Sequence, residues 1–245
     1  ASLQSVDEVI RARRRLRNVA LHTPLQRSHR LSDRYGAEVY LKREDLQEVR
    51  SYKIRGAYNK MSLLSKEQKE RGVVCASAGN HAQGVAMACA RMEVKGMIFM
   101  PVVTPMQKVR KVRSFGKQFV EVVLTGDTYD DAYAESMKAM KKHDLACVHP
   151  FDDRDTIAGQ GTVGLEILDD APRPVDYLLM AIGGGGLSAG VGSVFHQLSP
   201  ETTIFGVEPE GAPAMYASLK KGEIVTLGKI DSFVDGAAVR RVGKN

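Results

Sequence analysis

Short apolar runs that read as strands alternate with helix-length segments along nearly the whole chain, and this alternation limits the fold more than any other feature. The strand-like runs are EVYLK (38–42), VVCAS (73–77), KGMIFMP (95–101), FVEVVLTG (119–126), ACVHPF (146–151), VDYLLMAIG (175–183) and TTIFGVEP (202–209). Segments with helical spacing occupy 5–18, 53–70, 80–93, 106–115, 128–143, 159–170, 187–198 and 213–221. A helix between two strands makes a crossover connection, which joins parallel neighbours and covers the faces of the sheet. The expected class is therefore α/β, with parallel sheets. Hydrophobic residues make up 43% of 245, enough for one large core or two smaller ones. DDAPRPVD at 169–176 is the clearest break and reads as a loop.

The net charge of +6 raises the question of nucleic acid. Its densest source is RARRRLR at 11–17, yet Val6, Val9, Ile10, Leu16 and Val19 fall on one stripe beside it. That pattern is an amphipathic helix with a wet basic face. Aromatics are only 6% of the chain, with no tryptophan, so no stacking platform for bases is visible. Nucleic acid is not an expected partner. Nor is a membrane, since no apolar run approaches the ~20 residues of a span and the first residues lack the apolar block of a secretory signal. Cys75, Cys89 and Cys147 are widely spaced and form no CxxC, which suits a reducing, cytoplasmic setting and argues against disulfides or a zinc site.

Three stretches could carry chemistry. AIGGGGLSAG (181–190) runs from a strand through Gly183, Gly184, Gly185 and Gly186 into a helix at Leu187. Backbone N–H groups can crowd around an anion there, and the helix adds the positive end of its dipole, so a phosphate fits. It is neither a Walker loop nor a dinucleotide fingerprint in its usual place. CASAGNHAQGVA (75–86) is a second strand–turn–helix junction, where Ser77, Asn80 and His81 suit a carboxylate. SYKIRGAYNK (51–60) sets Lys53 among small and apolar neighbours. A lysine that condenses with a carbonyl needs a lowered pKa, reached by desolvation or by cationic neighbours. Lysine, phosphate cradle and carboxylate loop together point to pyridoxal phosphate acting on an amino acid.

LKREDLQEVRSYKIRGAYNKM, CASAGNHAQGVA, FMPVVTPMQKVRKVRSFG, LTGDTYDDA, HPFDDRDTIAGQGT, AIGGGGLSAG and GVEPEGA resemble threonine dehydratase (threonine ammonia-lyase), of the tryptophan-synthase-β-like, fold type II class of pyridoxal-phosphate enzymes. The resemblance runs from HTPL at 22–25 to the end. It implies two α/β domains: a large one from 1–70 plus 150–245, incomplete at its C-terminus, and a small mobile one at 74–149. It implies that Lys53 bonds to the cofactor and later takes the substrate α-proton. Tyr52 stands where the family usually has Phe beside the cofactor ring, and Asn80 would bond the ring hydroxyl. Ser77, Ala78, Gly79, Asn80 and His81 would hold the substrate carboxylate, largely through backbone N–H groups. Gly183, Gly184, Gly185, Gly186 and Leu187 would hold the phosphate.

The implied activity is conversion of threonine, and of serine, to 2-oxobutanoate or pyruvate plus ammonia, in isoleucine biosynthesis and in a homo-oligomer. Related serine racemases carry a second serine where this chain has Ala78, which favours elimination here. Metal-binding relatives follow the glutamate of GVEP with an acid six residues on; here Glu208 is followed by Ala214, so no metal is expected and Glu208 reads as a structural or capping carboxylate. The residue that meets the cofactor's pyridine nitrogen in the family would lie beyond Asn245. The alternatives are a serine dehydratase, a racemase-like enzyme, or a fragment without catalysis.

Overall fold

The computed structural model describes residues 3–245. Its elements, in chain order, are α1 (Val6–Arg15), β1 (Leu25–Arg27), α2 (His29–Tyr35), β2 (Tyr40–Lys42), α3 (Lys53–Ser62), α4 (Lys66–Arg71), β3 (Val73–Ala76), α5 (Asn80–Met92), β4 (Gly96–Met100), α6 (Met106–Gly116), β5 (Val120–Leu124), α7 (Tyr129–His143), β6 (Ala146–Cys147), α8 (Arg154–Asp170), β7 (Tyr177–Ala181), α9 (Gly186–Leu198), β8 (Thr203–Val207) and α10 (Ala214–Lys221). The class is the expected α/β. One sheet holds four parallel strands in the order β5-β4-β3-β6, and β7 pairs with β8 in a second parallel sheet.

The basic segment folds as its stripe implies. Ser5 caps α1, Val9 and Ala12 are buried, and Arg13, Arg14 and Arg15 crowd the last turn, where cations suit the helix dipole. Four departures from the sequence reading have local causes. The helix expected over 53–70 is two helices, because Ser65 restarts it with a capping box to Gln68. β1 pairs antiparallel with β2 in a small ribbon, and α2 follows β1, capped by Ser28 and ended by Gly36 at φ 60°. β6 is two residues long, because the backbone beyond Val148 bonds side chains instead of a neighbouring strand. The β7–β8 sheet is covered only at β7, on one face: Leu178 and Met180 pack on the α8–α9 core, while Tyr177, Leu179 and every residue of β8 are exposed.

α3 belongs to both halves of the packing. Ala57 and Met61 lie in one apolar cluster with Val73, Cys75 and Ile98 of the four-stranded sheet and with Val85 of α5. Its other face meets α8 through glycines: a Cβ at Gly159 would stand 2.5 Å from the Arg55 carbonyl oxygen and 2.6 Å from the Gly56 Cα. Both contacts are with backbone and cannot swing away. Gly159→Ala is therefore expected to lower stability by ~1–3 kcal/mol through overpacking, outweighing the ~1 kcal/mol gained in helix propensity. Urea unfolding checks this, and an unchanged or raised midpoint would contradict it.

Candidate active site

Lys53 is the first residue of α3, so its position follows from where that helix begins. Its side chain is half-buried, and the amine donates to the Pro150 carbonyl oxygen at 2.9 Å, with Nζ 5.4 Å from the centre of the Tyr52 ring. Burial pulls its pKa down to about 8. The sign favours nucleophilic and basic work: the amine is charged below that value and neutral above it. Roughly half is neutral at pH 8, against roughly 0.3% of an ordinary lysine. Burial alone also pushes the Tyr52 phenol up to about 12, so it stays protonated.

The SAGNH turn lies against the same spot. A Cβ at Gly84 of α5 would come within 3.0 Å of the Lys53 carbonyl carbon and 3.1 Å of the Ile54 nitrogen, so the helices touch at the lysine's own backbone. Ser77 Oγ accepts from the Gly79 and Ala82 N–H groups at 3.2 and 3.3 Å and shapes the turn. Gly79 caps α5, and the first-turn N–H groups of Asn80 and His81 have no intrahelical acceptor, so they face outward at the positive end of the dipole. The Asn80 residue is exposed and Ala78 packs against the sheet's core.

The His81 side chain leaves this turn and enters the core. Its Nε2 sits 2.7 Å from the Val148 carbonyl oxygen, which can only accept, so Nε2 carries the proton. Burial first, then the Lys53 charge, pulls its pKa down to about 3, and the ring is neutral.

The glycine turn is built for glycine. Gly185 has φ 98° and caps α9. A Cβ at Gly184 would lie 2.3 Å from the Phe151 ring, and one at Gly186 would lie 2.9 Å from the Phe151 Cα. The N–H groups of the first α9 turn, Gly186 and Leu187 among them, lack intrahelical acceptors. Leu187 and Tyr52 pack into one apolar cluster with Val163 and Phe195. Thus the residues flanking the amine and the glycine turn share both a core and the neighbouring segment 150–151.

That segment was not legible as functional. Val148, His149 and Pro150 offer their carbonyls to His81, Thr156 and Lys53 respectively. His149 Nδ1 accepts from the Phe151 and Asp152 N–H groups at 3.3 and 2.8 Å. The available signal was a histidine placed ahead of two loop N–H groups, beside a proline with no N–H of its own.

Of the two readings of Glu208, structural or capping, the structure shows the second: its two oxygens accept, at 2.7 Å, from the Met215 and Tyr216 N–H groups at the start of α10. Beyond it, Ala237 lies over Gly183, whose Cβ would come 3.2 Å from the Ala237 Cα. Ion pairs flank Ala237: Asp235 with Lys108 of α6, and Arg240 with Asp130 of α7 at 2.8 Å. They are exposed and worth at most ~1 kcal/mol each.

A half-buried amine of lowered pKa, a free helix N-terminus beside it and a second one opened by glycines are the features a pyridoxal-phosphate site calls for. The family profile described as "Pyridoxal-phosphate dependent enzyme" matches residues 16–245, and the chain belongs to that family. Among curated proteins it is similar to biosynthetic L-threonine dehydratase IlvA of Halalkalibacterium halodurans, 54% identical over 98% of this chain. It is 52% identical over 99% of its length to the protein of the same description from Bacillus subtilis. The chain spans 58% of the length of each of these relatives. Among solved structures it resembles the processed form of threonine deaminase isoform 2 from Solanum lycopersicum, with TM-score 0.91, 44% identity and coverage of 98% of this chain and 70% of that one. Maize serine racemase superposes with TM-score 0.93 at 30% identity, covering 99% of this chain and 72% of that one.

Proposed function

We propose that this chain is the cofactor-binding part of an L-threonine dehydratase, which removes water and then ammonia from threonine, and from serine, to leave 2-oxobutanoate or pyruvate. The observation that carries the reading is Lys53, whose amine, drawn down to about 8, bonds the segment that lies on the glycine turn, and whose backbone touches the helix that bears SAGNH. The residues suit pyridoxal phosphate. The N–H groups of Gly183, Gly184, Gly185, Gly186 and Leu187 would take its phosphate, Lys53 its carbonyl carbon, Tyr52 would flank its ring and Asn80 would bond its ring hydroxyl. When bound, pyridoxal phosphate supplies a sink for the electron pair left on the carbon that bears the amine.

The chain's own part follows from its geometry. Ser77, Ala78, Gly79, Asn80 and His81 hold the substrate carboxylate, chiefly through the free N–H groups at the start of α5. Neutral Lys53 takes the α-proton, a task suited to a base whose pKa lies near the working pH. Ala78 carries no acid or base for the opposite face, so the carbon is not reprotonated there and elimination prevails over racemisation. The biosynthetic description of the relatives supports a place in isoleucine formation, and the unpaired Cys75, Cys89 and Cys147 support the cytoplasm. Among the described residues, no helix is long and apolar enough to cross a membrane. Assembly with further copies belongs to the same proposal. The test is turnover by the full-length protein, loaded with pyridoxal phosphate: 2-oxo acid is expected from threonine and serine, and sedimentation gives the assembly. Loaded protein that releases no 2-oxo acid from either would end the reading.

A further inference from the structure

We propose that His149 is a positioning residue for Lys53: its Nδ1 shapes the turn that aims the Pro150 carbonyl at the amine and lays Phe151 on the glycine turn. The inference rests on the reading of Lys53 given above. Lys53 and Pro150 are far apart in sequence, and the 2.9 Å bond between them is the amine's anchor in this structure. A proline carbonyl cannot be held through its own N–H. What orients it is the tight turn on either side, and that turn is closed by one side-chain atom. His149 Nδ1 accepts from Phe151 N at 3.3 Å and Asp152 N at 2.8 Å, the two N–H groups that follow Pro150.

The ring is fixed in turn. It meets the Phe151 ring edge-on, with centres 4.8 Å apart and planes at 87°. The His149 carbonyl accepts from Thr156 Oγ1 at 3.3 Å, tying the turn to α8. Phe151 then closes against Gly184 and Gly186. One imidazole therefore connects the amine's anchor to the floor of the glycine turn. Nδ1 accepts only while the ring is neutral. Burial keeps it so, the Asp152 and Asp153 charges oppose this, and the Lys53 charge assists.

The substitutions that separate positioning from space-filling are His149→Asn and His149→Gln. Asn places its oxygen where Nδ1 lies, and Gln places its polar atoms near Nε2. In the full-length protein stripped of cofactor, backbone amide exchange at Phe151 and Asp152 reads the turn directly. The rate at which Lys53 bonds to added pyridoxal phosphate, trapped by borohydride and weighed, reads its consequence. His149→Gln is expected to speed exchange and slow bonding by about tenfold each, the loss of one to two hydrogen bonds. His149→Asn is expected to rescue both to within about twofold to threefold, with melting temperatures alike. Equal behaviour of the two variants, fast or slow, overturns the proposal, as does a better result from Gln. If either variant does not fold, exchange and bonding in the other alone decide: slow bonding in Asn, or wild-type bonding in Gln, overturns it. Threonine turnover is not a readout, so a protein that bonds cofactor but fails to deaminate would sink the proposed activity and leave this inference standing.

Discussion

Lys53→Ala in the full-length protein is expected to leave a folded chain that no longer bonds pyridoxal phosphate covalently. Its turnover should fall by at least ~10³-fold, the range that loss of a general base alone reaches. Persistence of the fold follows from two opposing terms. Removing an amine whose pKa burial has drawn from 10.5 to about 8 relieves about 3 kcal/mol of penalty on its charged form at neutral pH. The void left by the side chain costs ~2–5 kcal/mol. The two nearly cancel, so a lost activity would report chemistry and not unfolding. Borohydride reduction followed by mass measurement gives the check: the wild type should gain one cofactor per chain at the peptide holding residue 53, and the variant none. An adduct that persists elsewhere in the variant would refute the assignment of this lysine.

Arg55→Leu is expected to be the most damaging single change to stability. Arg55 is 1% exposed, and its guanidinium spans two carboxylates, Glu44 at 2.8 Å and Glu166 at 2.6 Å, with further bonds to Thr162 Oγ1 and the Leu21 carbonyl. Lys42 adds a second cation 2.7 Å from Glu166. Burial alone would raise the Glu166 carboxyl, yet the Arg55 hydrogen bonds and charge, helped by Lys42, hold it below its ordinary value. Leucine fills the volume but leaves Glu44 without its cation and Glu166 with Lys42 alone, which Asp170 shares. Breaking such a pair costs ~3–5 kcal/mol, on the order of 10 °C in melting temperature for a chain of this size. The sign of the pH dependence follows. The wild type keeps its Glu166 contribution above the ordinary carboxyl pKa and loses it as pH falls through the lowered one. The variant, with that pKa raised, suffers most at neutral pH and recovers part of the gap once Glu166 takes a proton. A gap that stays constant from pH 7 to 4 would show that Arg55 acts by packing alone.

What the sequence discloses here depends on how locally each feature is written. The glycine turn, the SAGNH turn and the start of α3 are each strand–turn–helix or loop–helix junctions, whose demands fall on adjacent residues, so Gly183 to Gly186 and Ser77 to His81 stand out unaided. The break between α3 and α4 is hidden because apolar spacing continues through Leu63 and Leu64, although Ser65 and Gln68 do spell a capping box. β1 and α2 are too short for periodicity to register. The anchor of Lys53 is legible least of all. Its acceptor is a backbone carbonyl, which has no side-chain signature, and it lies 97 positions along the chain. HPFDD does set a histidine ahead of two loop N–H groups, but the letters do not say that its imidazole accepts from them.

The helix that starts at Lys53 has a practical corollary for anyone dissecting the molecule. Excising residues 74–149 as a piece would strip the four-stranded sheet of Ala57 and Met61, which fill its interior from outside that interval. A cut upstream of residue 53 would keep them, but would tear Gly56 from its seat against Gln160. Wherever the scissors fall, one cargo loses its keel. For the same reason, any swing of the sheet relative to α8 would carry the Lys53 backbone with it.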